Sequence, residues 1–221
     1  MSHQHRGVRT TRGLFICFEG GEGTGKSTQA RLLGRSLTTL GYEVVATFEP
    51  GDTPVGGRLR QIVLDPLTGQ LAPRTEALLY AADKAEHVDT VVAPALRRGA
   101  VVITDRYVDS TLAYQGAGRA LAVAEVEHVA RWATADLRPH LTVLLDLDPA
   151  VGLQRFDGRD RIEAESVDFH RRVRDGFLTL AAADPEHYLV VAADRPVEEI
   201  AEAVQAAVTP LLATAEQTVA T

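Results

Sequence analysis

Short apolar runs alternate along this chain with longer segments in which apolar residues recur at helical spacing. The runs have the length of buried strands, and they cover Leu14–Phe18, Glu43–Thr47, Ala100–Thr104, Leu141–Leu147 and Tyr188–Val191. Between them, apolar side chains repeat every three or four positions, as at Phe169, Val173 and Phe177. This alternation predicts an α/β fold in which a five-stranded parallel sheet is covered by helices on both faces.

Length and composition favour a single domain. The chain has 221 residues, of which 45% are hydrophobic and 24% charged, so it can bury a full core. We expect one domain over residues 13–214, a flexible N-terminal segment at 1–12 and a flexible tail at 215–221.

The net charge of −7 argues against general nucleic-acid binding, which depends on many Lys and Arg side chains. The single cysteine, Cys17, excludes an internal disulfide. Because no signal peptide or long apolar run occurs, we expect a cytoplasmic protein with no membrane partner.

A phosphate-binding loop follows the first apolar run. Its residues fit G-x-x-x-x-G-K-[ST] and read Gly20, Gly21, Glu22, Gly23, Thr24, Gly25, Lys26 and Ser27. The glycines let backbone N–H groups turn around a polyphosphate, and a helix that begins near Gly25 points its positive end at the same anion. Lys26 can reach the outer phosphates, and the Ser27 hydroxyl can hold Mg²⁺. Such a loop could serve a switch GTPase, a motor-type ATPase or a small kinase.

A second motif favours the kinase. The third apolar run ends in Asp105, which would meet the Mg²⁺ region beside the first strand and is followed by Arg106 and Tyr107. Two other interpretations stay open, a helix cap for Asp105 and a surface ion pair for Arg106. A switch GTPase would need a base-reading Asn-Lys-x-Asp sequence, which the chain lacks, and we expect no second large domain that hydrolysis could drive.

At these motifs the chain resembles the thymidylate kinase family, whose members phosphorylate dTMP to dTDP. The resemblance runs from Leu14 to the helix near residue 183, and it includes the phosphate loop, Glu49-Pro50-Gly51, Leu78-Leu79-Tyr80-Ala81-Ala82-Asp83, Asp105-Arg106-Tyr107, Ala113-Tyr114-Gln115-Gly116 and Asp160-Arg161-Ile162-Glu163. It implies a three-layer P-loop NTPase fold with a small lid at about 154–164. It also implies Mg²⁺-dependent transfer of the γ-phosphate of ATP to dTMP in dTTP biosynthesis, and a homodimer joined by the helix covering residues 75–97.

The resemblance further implies contacts to the acceptor base. Tyr80 would stack on the base, and stacking alone does not distinguish thymine from other bases. Lys84 lies one helical turn after Tyr80 and would donate to the thymine O4 carbonyl, where family members usually place arginine. Arg60 would face the base and the acceptor phosphate.

The same resemblance assigns residues to the sugar and the acceptor phosphate. Thr111 and Gln115 would contact thymine, while the Tyr114 ring would lie against the deoxyribose and exclude a 2′-hydroxyl. Glu22 would face the 3′-hydroxyl of the acceptor. Glu49 would hold the acceptor side near its phosphate, through water on Mg²⁺ or through Arg106. The residue before Glu49, commonly arginine in the family, is Phe48 here.

Catalysis would depend on positive charge around the transferred phosphoryl group. Lys26 would supply it from the donor side and Arg106 from the acceptor side, where a planar guanidinium can bind a phosphate through two hydrogen bonds. Eukaryotic relatives carry a further arginine at the position of Gly23, so the charge would come here from the lid. We favour Arg159 and Arg161 for that role, with Arg155 as the alternative.

Two rival functions stay open at this point. The first is a kinase of the same class that acts on another deoxynucleotide or nucleoside. The second is a noncatalytic or switch-like nucleotide-binding protein.

Overall fold

A parallel sheet of five strands forms the centre of the part of the chain that the structure describes. This structure, a computed structural model, describes residues 13–155 and 160–217. The strands are β1 (Leu14–Glu19), β2 (Val44–Phe48), β3 (Val101–Asp105), β4 (Leu141–Asp146) and β5 (Tyr188–Ala192). They lie in the order β2-β3-β1-β4-β5, and all neighbours are parallel. The predicted fold class is therefore confirmed, and each strand begins and ends within one residue of its predicted apolar run.

Helices connect successive strands, as a parallel sheet requires. In the described ranges they are α1 (Lys26–Thr39), α2 (Pro54–Leu64), α3 (Pro73–His87), α4 (Ala93–Arg97), α5 (Val108–Thr111), α6 (Val123–Ala133), α7 (Pro149–Gly152), α8 (Val167–Ala183) and α9 (Val197–Gln217). A π-helical segment, Val88–Val92, joins α3 to α4 without a break, so one long helix covers the predicted range 75–97. A second π-helical segment, Leu112–Gly118, continues α5.

The two faces of the sheet bury alternate residues of the same strands. On one face, Leu14, Ile16 and Phe18 of β1 pack in a cluster that includes buried residues of α1 and α9. On the other face, Phe15 and Cys17 pack against the long helix, while β4 and α8 form a neighbouring cluster. Successive strand side chains point to opposite faces, so a strand that is covered on both sides is apolar throughout. This is why the strands could be predicted as continuous apolar runs.

The predicted end segments and lid lie partly outside the described residues. Residues 1–12 lie outside them, as do 218–221, while α9 continues to Gln217, beyond the start of the predicted tail at 215. Of the predicted lid, residues 156–159 also lie outside. In the part of the chain that the structure describes, no helix is both long and apolar enough to cross a membrane.

Candidate active site

Two cavities adjoin at the carboxyl edge of the sheet, where the loops after β1 and β3 meet. The first is an open groove along the phosphate loop and α1, and the second is a smaller cavity of about 140 Å³ beside α3 and the segment after β3. Both are lined by Glu22, Glu49, Arg60, Arg106 and Glu163. We call them the loop groove and the small cavity. Crevices at the carboxyl ends of strands are the usual ligand sites of parallel α/β sheets.

The phosphate loop holds its lysine against its own backbone. Lys26 Nζ donates to the Gly21 carbonyl at 2.7 Å and lies 3.4 Å from Thr24 Oγ1. Only 7% of Lys26 is exposed. Burial, reinforced by the nearby positive charge of Arg106, lowers the pKa of the Lys26 ammonium. A polyanion bound in the loop would favour the charged form of this buried lysine.

Gly23 is required by close packing between the loop and α7. Its φ of 69° lies in the left-handed region, and a Cβ there would lie 2.3 Å from the Gly152 carbonyl oxygen. An arginine at position 23, as in eukaryotic relatives, could not be placed without moving α7. Arg155, which follows α7, instead donates from Nη1 to the Gly23 carbonyl at 2.5 Å. Arg155, which belongs to the predicted lid, thus places a guanidinium group at position 23 of the phosphate loop.

Ser27 and Asp105 place two oxygen atoms together at the mouth of the loop groove. Ser27 Oγ donates to Asp105 Oδ2 at 2.5 Å, and both residues line the groove. Hydroxyl and carboxylate oxygens suit Mg²⁺, which usually keeps several waters and uses substrate phosphates as further ligands. Among the described residues, no group of three or more His, Cys, Asp or Glu side chains could hold a metal. The pair fits a metal held jointly with a nucleotide rather than an all-protein metal centre.

Arg106 lies where the two cavities meet. Its Nη2 donates to Glu22 Oε1 at 2.7 Å, and its Nη1 donates to the Gly20 carbonyl and to Ser110 Oγ, each at 3.1 Å. The backbone at Arg106 has a φ of 72°, a strained left-handed conformation for a residue with a side chain. Such strain persists only where surrounding contacts impose it, and it clusters at functional sites.

Glu22 is held by both Arg106 and Tyr114. The Tyr114 hydroxyl donates to Glu22 Oε1 at 2.6 Å, and the Arg106 guanidinium lies 5.1 Å from the centre of the Tyr114 ring. Burial alone would raise the pKa of Glu22, but the charges of Arg106 and Lys26 outweigh it and lower the pKa to about 2. Glu22 is therefore ionised at neutral pH. Glu22, Arg106 and Tyr114, which were predicted to bind the acceptor or to act in catalysis, thus contact one another.

Glu19, which the sequence reasoning missed, supports the backbone turn that carries Arg106. It is fully buried at the end of β1, and its Oε1 accepts hydrogen bonds from the N–H groups of Tyr107 and Ser110 at 2.8 and 3.0 Å. Its Oε2 accepts from Ser110 Oγ at 2.6 Å. Burial raises its pKa, with Asp109 adding to the effect. The available signal was a carboxylate at the end of an otherwise apolar strand, directly before the phosphate loop.

Lys84 and Glu49 line the small cavity, but they are bound to each other. Lys84 Nζ lies 2.9 Å from Glu49 Oε2, and His87 Nδ1 lies 2.7 Å from Glu49 Oε1. Burial would raise the pKa of Glu49, but Lys84 and His87 lower it. In this structure the charged partners of Glu49 are Lys84 and His87, and its role near the acceptor phosphate stays a prediction. Lys84 is thus paired with a carboxylate, but an ammonium group has three N–H donors, so its hydrogen bond to a base carbonyl stays a prediction. A carboxylate that is 3% exposed needs such a cation.

The remaining predicted acceptor residues line the same small cavity. They are Arg60, Tyr80, Thr111 and Gln115, together with Glu22, Arg106 and Tyr114. Arg60 Nη1 donates to the Pro50 carbonyl at 2.7 Å, and its guanidinium lies 5.7 Å from the centre of the Phe48 ring. Phe48, at the position of the usual arginine, thus packs with Arg60. Thr111 Oγ1 is buried and has no hydrogen-bond partner in the structure.

Arg161 is bound to α2 and α3 in this structure, and its predicted place over the donor phosphates stays a prediction. Its Nη2 donates to Glu76 Oε2 at 2.5 Å, its Nε donates to the Val63 carbonyl at 2.8 Å, and its backbone N–H donates to the Leu64 carbonyl. The buried Glu76 carboxylate attracts the guanidinium toward α3. Arg159, the other favoured lid arginine, lies outside the described residues.

Comparison with known proteins gives a consistent result. The family model for thymidylate kinase matches residues 18–204. A thymidylate kinase of Cutibacterium acnes is 56% identical over 200 residues, which are 90% of this chain and 98% of that protein. A thymidylate kinase of Deinococcus radiodurans is 50% identical over 201 residues, covering 90% and 97% of the two chains. The crystal structure of thymidylate kinase from Ehrlichia chaffeensis matches with a TM-score of 0.69 and 32% identity, covering 81% of this chain and 92% of that one.

Asp83 is a buried carboxyl group near Glu49, and its raised pKa predicts how the stability of the protein changes with pH. Its Oδ1 accepts from the Gly51 N–H at 3.0 Å, while its buried Oδ2 has no hydrogen-bond partner in the structure. Burial and the nearby Glu49 carboxylate raise the pKa of Asp83 from 3.8 to about 6. As pH rises through this window, the unfolded chain releases the proton first, so the folded state loses stability.

We therefore expect Asp83→Asn, which resembles the protonated acid, to gain stability relative to the natural chain as pH rises from about 4 to about 7. The gain in the free energy of unfolding would be about 1–3 kcal/mol, measured by urea denaturation across that range. Asp175→Asn, at an exposed position of α8, is the control and would show no such trend. If the difference in the free energy of unfolding between Asp83→Asn and the natural chain does not change with pH, the pKa of Asp83 is not raised.

Proposed function

The chain belongs to the thymidylate kinase family, and from that premise we propose how its residues transfer the γ-phosphate of ATP to dTMP. It is a nucleoside monophosphate kinase that uses ATP as phosphoryl donor. The observation that carries the residue assignments is the meeting of the loop groove and the small cavity at Arg106 and Glu22. Two phosphate-bearing substrates bound in these cavities would have their reacting groups side by side.

We assign the donor to the loop groove. The backbone N–H groups of Gly20 to Ser27 and the positive end of α1 would bind the phosphates of ATP. Lys26 would exchange its bond to the Gly21 carbonyl for a phosphate oxygen. Ser27 and Asp105 would hold Mg²⁺, which when bound neutralises part of the phosphate charge.

We assign dTMP to the small cavity. Tyr80 would stack on the base, Thr111 and Gln115 would contact its edge, and Arg60 would approach the phosphate. Glu22 would accept a hydrogen bond from the 3′-hydroxyl, beside the Tyr114 ring. Lys84 would hold Glu49 in place through one N–H group and could donate another to the thymine O4 carbonyl.

Transfer would proceed by direct attack of a dTMP phosphate oxygen on the γ-phosphorus of ATP, with departure of ADP. The acceptor phosphate is largely ionised at neutral pH, so no strong general base is needed. The protein's task is then to align the two phosphates and neutralise their charge. Arg106 would do so from the acceptor side as its guanidinium turns from Glu22 to phosphate.

The lid contribution is reassigned to Arg155. Its guanidinium already contacts the Gly23 carbonyl, whereas Arg161 is bound to Glu76. A small movement of Arg155 would bring its charge to the donor phosphates. A role for Arg159 in the same lid stays a prediction, as do the domain limits and the cytoplasmic location.

The homodimer is also proposed, through the face formed by α3 and α6. An apolar depression there is lined by Ala77, Leu78, Leu121, Val126 and Val129, and 58% of Leu78 is exposed. An apolar face of this kind is typical of a protein interface. It lies on the long helix that the family resemblance implicated.

The acceptor is tested by incubating purified protein with ATP, Mg²⁺ and a panel of nucleoside monophosphates, and measuring ADP release. We expect dTMP to be turned over with the highest kcat/KM. Preference for another monophosphate would reject the thymine assignment. Nucleotide binding without dTMP-dependent ADP release would instead favour a noncatalytic protein.

Arg106→Ala should lower kcat by about 10³-fold or more, because charge near the transferred group acts mainly in the transition state. ATP affinity, measured by calorimetry, should change by less than about threefold, since the donor is bound mainly by the loop. Arg171→Ala, which removes an exposed arginine of α8, is the control and should retain full activity. A parallel loss of ATP affinity in Arg106→Ala would place Arg106 on the donor side.

Leu78→Glu should convert the dimer to a monomer, because it buries a charge in the proposed interface. The mass in solution can be measured by size-exclusion chromatography with light scattering. Leu67→Glu is the matched control, as Leu67 is 93% exposed and lies outside the α3 and α6 face. A dimer that survives Leu78→Glu would exclude this face.

A further inference from the structure

A buried carboxylate lies behind the wall of the small cavity. Glu76, in the first turn of α3, has no exposed surface. It accepts hydrogen bonds from Gln115 Nε2 at 2.9 Å, from Arg119 Nε and Nη2 at 3.0 and 3.1 Å, and from Arg161 Nη2 at 2.5 Å. Burial would raise the pKa of Glu76, but these bonds lower it. The group therefore remains ionised at neutral pH.

The charge on Glu76 determines which end of the Gln115 amide faces the cavity. An ionised carboxylate can only accept hydrogen bonds, so the NH₂ group of the amide must point at it. Gln115 makes no other side-chain hydrogen bond within the described ranges. Its carbonyl oxygen Oε1 is therefore the group left for the cavity, which Gln115 lines. A neutral partner would not impose this orientation, because an amide can both donate and accept.

A Gln115 carbonyl oxygen that faces the cavity can accept a hydrogen bond from a base that carries a ring N–H. Thymine and uracil carry a ring N3–H between two carbonyl oxygens, whereas cytosine carries an unprotonated N3. Gln115 Oε1 can accept from N3–H but would face the lone pair of cytosine N3. Thr111, one turn earlier on the same wall, has a buried hydroxyl without a partner that can donate to a ring carbonyl.

We propose that Glu76 is a positioning residue that makes the acceptor site select bases with a ring N3–H. It does so by presenting Gln115 Oε1, and not the amide nitrogen, to the base. The proposal rests on the proposed function, because it takes dTMP as the occupant of the small cavity. It adds a residue that touches no substrate and acts only through Gln115.

Glu76 also binds Arg161, so its loss could affect activity in a second way. Arg161 connects α3 to the segment that contains Asp160 and Ile162, and both of these line the small cavity. A general decrease in activity would therefore not distinguish orientation of the amide from loosening of this segment. The test needs a readout that depends on the base edge alone.

The experiment compares kcat/KM for dTMP, dUMP and dCMP in the natural chain and in Glu76→Gln. The preference for dTMP over dCMP should fall by about tenfold or more in the variant, because the Gln115 amide is then free to reverse. The preference for dTMP over dUMP should stay within about twofold, since these bases share N3–H and differ by a methyl group. Loosening of the cavity would instead reduce both preferences together.

Two further variants keep the test decisive if Glu76→Gln does not fold. Gln115→Met removes the acceptor while leaving Glu76 bound to both arginines, and it should lower the preference over dCMP to a similar extent. Arg119→Gln removes two hydrogen bonds to Glu76 but keeps its bond to Gln115, so it should retain that preference within about twofold.

An unchanged preference for dTMP over dCMP in Gln115→Met, or in folded Glu76→Gln, would overturn the inference. So would a parallel loss of the preference over dUMP. These outcomes are distinct from failure of the proposed function, which would be seen as a lack of dTMP turnover by the natural chain.

Discussion

The ion pair between Arg106 and Glu22 is the interaction on which the rest of the candidate active site depends. A site for two phosphate-bearing substrates must concentrate buried positive charge, and a buried cation without a partner costs several kcal/mol. The chain therefore supplies substitutes, a carboxylate for Arg106 and a backbone carbonyl for Lys26. Substrate phosphates would replace these partners. Binding is then an exchange of contacts rather than the addition of new ones, and this exchange can reorient Arg106 when both cavities are filled.

Three buried glutamates stabilise the residues that face the cavities. Glu19 holds the strained turn that carries Arg106, Glu49 holds Lys84, and Glu76 holds Gln115. Glu49 and Glu76, whose pKa values are lowered, are ionised and can only accept hydrogen bonds, so each imposes a direction on its donor. The geometry of the candidate site is thus set in part by buried glutamates that do not themselves need to touch a substrate.

Close packing of the backbone imposes a second constraint, because it limits which residues can place a positive charge beside the phosphate loop. The contact between Gly23 and Gly152 leaves no room for a side chain on the loop at that point. Charge can then come only from a neighbouring segment, and Arg155 is the described lid residue that contacts the loop. The close approach at Gly23 and the hydrogen bond from Arg155 therefore occur at the same point of the loop.

The sequence by itself determined the strands and the phosphate loop, because both are encoded by residues close together in the chain. Strand periodicity depends on runs of five or six residues, and Lys26 and Ser27 follow the loop glycines directly. The sequence did not determine the ion-pair partners of Lys84 and Arg161. The family resemblance implied Lys84 toward the base and Arg161 toward the donor, whereas in the structure each pairs with a buried carboxylate, and that of Arg161 lies 85 positions away. Only the tertiary structure decided these pairings, since a buried charge takes the nearest opposite charge in space, and nearness in space is set by the packing of helices against the sheet.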